Sequence, residues 1–148
     1  MRPKSIIAGH LTLRFPLIEY RIKYISMTCK RFVISVVSPF RLDLTVWALR
    51  RRTKNAIDQW DRNQYIRLIV CDNTPIKLSI AQESKNGNPK IIVMLQSKDE
   101  IAPGLQKNVL LLIRSLLGLT INLQPFYMLA NKDESIERLV RQFAGVRP

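Results

Sequence analysis

Histidine is nearly absent from this sequence, with His10 alone among 148 residues, and cysteine occurs only as Cys29 and Cys71. One histidine in a basic N-terminal stretch leaves no material for a Ser/His/Asp arrangement or other imidazole acid-base chemistry. The two cysteines lie far apart and share no CxxC or Cys/His spacing, which excludes a zinc site or a disulfide framework and predicts two free thiols in a reducing cytosol. No metal and no cofactor are therefore expected. Long apolar runs are also missing: none approaches the roughly 18 residues a membrane span requires, and the N-terminus lacks the unbroken apolar core of a secretory signal. A cytoplasmic protein without a membrane partner is the expectation. Acidic side chains are scarce as well, 11 against 24 Lys and Arg, giving a net charge of +13 and a pI near 10.4. That sign fits attraction to nucleic acid or to an anionic surface without saying which.

What the sequence does contain is enough for one domain. Its length suits a single hydrophobic core, and 47% hydrophobic with 24% charged residues excludes a wholly disordered or collagen-like chain. Residues 1–31 stand apart as a basic N-terminal arm, with Arg2, Lys4, Arg14, Arg21, Lys23, Lys30 and Arg31 against the single acid Glu19. A mitochondrial-type presequence would share that charge but should be helical and serine-rich. The arm reads instead as disordered or as a start-site artefact, because Met27 opens a more ordinary beginning. Residues 32–148 form the folded unit.

The organising element is LQKNVLLLIRSLLGL, residues Leu105 to Leu119. Leu105, Val109, Leu112, Ile113 and Leu116 recur at three- and four-residue steps, predicting one buried helix face, while Leu111 falls on the polar side and Gly118 suits a left-handed helix end. Before it, Phe32 to Val37 is a β-branched strand ended by Pro39, and Phe40 to Leu44 alternates as a second strand or a continuation of the first. Thr45 then caps a short helical turn running into Arg50, Arg51 and Arg52. Ala56 to Trp60 and Gln64 to Val70 read as a hairpin about Asp61-Arg62-Asn63. Cys71 to Thr74 is a turn, Pro75 to Ala81 a half-buried strand, and Asn86-Gly87 a tight turn returning into Lys90 to Gln96. Asp99 and Glu100 sit where a helix dipole favours anions. Pro125 starts a short helix. A final helix begins near Asp133, with Ile136, Leu139, Val140 and Phe143 on one face and Gly145 closing it. The fold class is α+β, an antiparallel sheet of about five strands backed by helices.

Three stretches carry a family resemblance: FRLDLTVWALRRR (Phe40 to Arg52), NAIDQWDRNQYIRLIV (Asn55 to Val70) and LLGLTINLQPFYMLANKDESIERLVRQFAGVRP (Leu116 to Pro148). In order, and across roughly Phe32 to Pro148, they resemble the N-terminal domain of DNA-3-methyladenine glycosylase II, a helix-hairpin-helix DNA glycosylase. The resemblance implies a TATA-binding-protein-like sheet that packs against a helical domain. In that family the second domain carries the catalytic aspartate, the wedge inserted into the duplex and the hairpin that holds phosphates. No residue here matches the catalytic aspartate, so no catalytic residue is assigned, and neither Asp99 nor Asp133 takes that role. The resemblance thus implies base-excision repair of alkylated DNA, with this chain inactive alone and truncated before the catalytic domain.

Two other readings stay open. One is a non-catalytic DNA-binding or partner-docking module acting through Arg50, Arg51, Arg52, Lys54, Arg62 and Arg67, against the plain alternative that these form a solvated basic surface. The other is a non-functional fragment. The expected partners are DNA, bound weakly and without sequence preference, and a separate helix-hairpin-helix domain. The composition of the arm generates a first prediction: limited proteolysis of the native protein removes the arm first and leaves a stable product starting between about Met27 and Phe32, as read by mass spectrometry, with Arg14 and Arg21 open to trypsin. Protection of both arginines would refute it.

Overall fold

The computed structural model describes residues 27–52, 54–85 and 88–147. The body of the basic arm and the Asn86-Gly87 pair lie outside these residues. In chain order the elements are β1 (Thr28–Ser35), α1 (Leu42–Leu49), β2 (Gln59–Asp61), β3 (Gln64–Cys71), β4 (Thr74–Lys85), β5 (Asn88–Ser97), α2 (Pro103–Leu116), α3 (Gln124–Ala130) and α4 (Glu134–Gln142). The strands form one antiparallel sheet in the order β1-β5-β4-β3-β2. Strand β1 starts at Thr28, so residues 28–31, assigned by composition to the arm, pair with β5 instead. Their basic side chains do not prevent this, because a strand at the sheet edge keeps one face in water.

Alternation sorts the sheet into a covered and an open face. Ile34 of β1, Tyr65 and Ile69 of β3, Ile76, Leu78 and Ile80 of β4, and Ile91, Val93 and Leu95 of β5 join one buried cluster with Leu42 and Val46 of α1 and with Leu105, Val109 and Ile113 of α2. Each such aliphatic side chain contributes on the order of 1.5–3 kcal/mol by leaving water. The other face carries Val33, Leu68 and Val70, all exposed. Two strand connections turn on pairs of residues with positive φ, Arg62-Asn63 and Asp72-Asn73. Such pairs match the right-handed twist of the strands they join.

Three further sequence expectations change. Residues Phe40 to Leu44 are not a strand, because α1 already begins at Leu42. The helix has no local side-chain cap. Its first amide, Leu42 N, donates instead to Gln82 Oε1 of β4 at 2.7 Å, and Gln82 Nε2 donates to Phe40 O at 2.8 Å. Thr45, expected as the cap, is buried inside the helix. On α2 the buried stripe is centred on Val109 and Ile113, with Leu110 and Leu116 packed beside it. Leu112 falls at its margin and is 41% exposed, and Leu111 on the polar side is exposed too.

The chain end is tied back onto the start of α1. Gly145, at φ +89, accepts from Arg41 N at 2.9 Å through its carbonyl, and its amide donates to the Tyr127 hydroxyl at 3.0 Å. A Cβ built there would meet Arg41 N and Phe40 C at 2.9 Å, both backbone atoms that cannot swing aside. Gly145→Ala is therefore expected to cost at least about 1–3 kcal/mol, combining left-handed strain with this clash. A Tm unchanged within error would overturn that account.

Candidate nucleic-acid interface

The basic residues singled out by sequence do not form one patch. Arg50 is the C-cap of α1, and Arg51 and Arg52 follow it, all three exposed, with exposed Lys54 just beyond. Among the described residues none of these four makes a salt bridge. Arg62 is exposed on the β2–β3 turn, at φ 46. Arg67 is different. Its Nη1 donates to Asp58 Oδ1 at 2.9 Å, with the arginine side chain 27% and the carboxylate 7% exposed, so its charge is engaged inside the protein.

Asp58 is the hub that fixes the loop bearing the arginines. Its Oδ1 accepts from the Tyr65 hydroxyl at 2.5 Å as well as from Arg67, and its Oδ2 accepts from Asn55 Nδ2 at 2.7 Å. Asn55 in turn accepts at Oδ1 from the amides of Ile57 and Asp58, and its Nδ2 also reaches the carbonyl of Leu49 at the end of α1. Residues 55–58 are thereby pinned between helix and sheet. Burial pushes the Asp58 carboxyl up, but hydrogen bonds from Tyr65 and Asn55, with the charge and hydrogen bond of Arg67, outweigh it and hold the group below the ordinary aspartate value. For Tyr65, burial and then the hydrogen bond to Asp58 raise the phenol well above its usual range.

Beside the arginine loop lies a groove of about 620 Å³ lined by Asp43, Leu44, Val46, Trp47, Arg50, Arg51 and Trp60. Trp47, on α1, is 63% exposed, and its ring stacks on Phe143 at a centroid distance of 6.4 Å. Two indoles and two guanidiniums around one groove suit a nucleic acid: arginine engages phosphate oxygens in a planar fork, and aromatic faces accept stacked bases. Asp43 does not oppose this strongly, because its charge is matched by Arg41 through two hydrogen bonds of 2.9 and 2.6 Å. Arg62 is not part of this wall, although it stands two positions after Trp60 on the same hairpin. The tryptophans were not singled out by sequence. Trp47 stands three and four positions before Arg50 and Arg51, a spacing the sequence does show, whereas half-buried Trp60 joins them from β2 only in the folded chain.

Cys29 and Cys71 are free thiols, exposed and half-buried respectively. Among the described residues no group of three or more His, Cys, Asp or Glu side chains is placed to hold a metal. Asp99 and Glu100 are exposed just before α2. No described helix is long and apolar enough to cross a membrane.

The Asp58 network yields a pH-dependent prediction. Because the folded carboxyl titrates below its unfolded value, its contribution is complete above about pH 4 and is lost as pH falls through the lower folded value. Asp58→Asn is expected to lower stability by about 1–3 kcal/mol at neutral pH by leaving Arg67 and Tyr65 poorly matched. Denaturant unfolding across pH should show the gap between the two proteins closing in acid. A gap that widens in acid would contradict this assignment.

Compared with family models, with curated proteins and with solved structures, the chain finds no match in any of the three.

Proposed function

We propose that this chain is the sheet domain of a base-excision glycosylase of the DNA-3-methyladenine glycosylase II kind, with the TATA-binding-protein-like arrangement that this family implies. In this reading the domain holds duplex DNA in the Trp47, Trp60, Arg50 and Arg51 groove. A helix-hairpin-helix domain, docked on α3 and α4, performs the glycosidic cleavage. The sequence resemblance supplies the family. The observation that carries the docking role is the uncovered apolar side of the last helical pair.

No residue of α4 is buried, although Ile136, Leu139, Val140 and Phe143 share its apolar face. Together with Phe126 of α3 and Val146 they line a groove of about 510 Å³. Ile136, Leu139, Phe143 and Phe126 are 42%, 58%, 38% and 51% exposed, far more than core side chains tolerate. A helix with one apolar and one charged side reaches its full stability when the apolar side is covered, and a contiguous patch of this kind marks an interface. The opposite side of α4 is capped and charged for water: Asp133 accepts from the amides of Ser135 and Ile136, and Arg141 pairs with Glu137.

A second reading, a non-catalytic DNA-binding or partner-docking module, is favoured by Arg50, Arg51, Arg52 and Lys54, which are exposed and, among the described residues, without ion pairs. Both readings assign the chemistry elsewhere. Base release requires a flipped nucleotide, a pocket that holds it and a fixed carboxylate facing the developing sugar cation.

The test is reconstitution. Purified chain incubated with methylated duplex is expected to bind without preference for lesion or sequence, to lose affinity steeply as salt rises, and to release no free base. A separately expressed helix-hairpin-helix domain should restore release. Leu139→Asp should abolish that restoration while leaving duplex binding unchanged, since Leu139 is already exposed. Lesion-dependent release by the chain alone, or failure of the added domain to bind, would sink the proposal.

A further inference from the structure

Arg147 is 2% exposed, yet among the described residues no acidic side chain pairs with it. Its guanidinium donates three hydrogen bonds, all to backbone carbonyls: Ile121 O at 2.7 Å, Val37 O at 3.0 Å and Pro39 O at 3.2 Å. Nε is buried and, among the described residues, without a partner. Carbonyl dipoles satisfy donors but leave a full positive charge, and a buried charge is ordinarily paired because its desolvation is expensive. Burial accordingly pulls the Arg147 pKa down.

Arg147 also lines a cavity of about 390 Å³, together with Ala48, Leu49, Arg51, Arg52 and Asn55. Three of those six residues are arginines and none is acidic. Asp58, bonded to the lining residue Asn55, is already engaged by Tyr65 and Arg67 as well. Both Asn55 side-chain atoms are committed, Nδ2 to Leu49 O and Asp58, and Oδ1 to two amides. The C-terminal end of α1 adds a partial negative charge of only about half a unit, which three guanidiniums outweigh.

We propose that Arg51, Arg52 and Arg147 form a seat for a phosphate group between the C-terminal end of α1 and the last turn of the chain. Arg51 and Arg52 are exposed and free to close their forks on phosphate oxygens, while Arg147 supplies fixed positive charge from inside. Phosphate fits better than carboxylate because its several oxygens serve more than one arginine at once. Arg51 also lines the tryptophan groove, so the rest of a phosphate ester would adjoin an aromatic wall. The seat stands independently of the glycosylase reading. Its ligand is a phosphate group, borne either by a nucleic-acid backbone or by a small ester.

The experiment titrates the full chain with inorganic phosphate at constant ionic strength and follows the arginine Nε–H resonances by NMR. Saturable shifts are expected at Arg51, Arg52 and Arg147 and not at Arg62 or Arg114. The double variant Arg51→Gln/Arg52→Gln, which alters exposed side chains only, should weaken phosphate binding about tenfold or more. Displacement of phosphate by a short duplex would identify the backbone as the source of the group. Displacement by a phosphomonoester but not by duplex would identify a small ester. Both outcomes support the seat. Shifts spread evenly over all arginines, absence of saturation, or binding unchanged in the double variant would overturn it. Because no base release is measured, this result is separable from the reconstitution test.

Discussion

The buried guanidinium of Arg147 is the contact on which the arrangement of the helices depends. It joins the connection between β1 and α1, through Val37 and Pro39, to the segment between α2 and α3, through Ile121. Its own amide donates to Thr45 Oγ1 inside α1 at 3.2 Å. Five N–H donors on one planar group allow a single side chain to satisfy carbonyls from separate segments, which a lysine ammonium could not do with the same geometry. The chain end, the α1 start and the α2–α3 connection are thus held by one residue. Gly145 adds its two backbone hydrogen bonds to Arg41 and Tyr127 in the same region.

The surfaces with functional potential follow from that closure. With the chain end drawn against α1, Phe143 reaches Trp47, and the apolar sides of α3 and α4 are left facing outward. On the other flank, the Asp58 network ties residues 55–58 to Tyr65 and Arg67, limiting the freedom of the loop that follows Arg50, Arg51 and Arg52. The two arrangements treat arginine oppositely. Arg67 is consumed by its pairing with Asp58, whereas Arg147 keeps its charge behind backbone carbonyls and Arg50, Arg51 and Arg52 keep theirs for solvent or a ligand. The exposed group, with Arg147 behind it, adds to the attraction a net charge of +13 exerts on an anion.

Much of the architecture was legible in the residues alone because it rests on local physics. Strand alternation, the Asn-bearing turns, Pro125 at the start of α3, Asp133 ahead of α4 and glycines at positive φ each act within a few residues of their own position, and the structure has them there. The apolar stripe of α2 was legible for the same reason, apart from Leu112, whose exposure depends on which side of the helix the sheet approaches. What only the tertiary structure decided are the contacts between distant segments. Gln82 begins α1 from 40 residues away, which is why an alternating Phe40 to Leu44 looked like strand and Thr45 looked like a cap. Arg67 resembled any other basic residue until Asp58 was placed beside it. Arg147 sits in a short stretch after α4, and its burial is set in part by carbonyls from residues more than a hundred positions earlier. Sequence spacing encodes the period of a helix or strand; it does not encode which acid, amide or carbonyl a long side chain will meet once those elements pack.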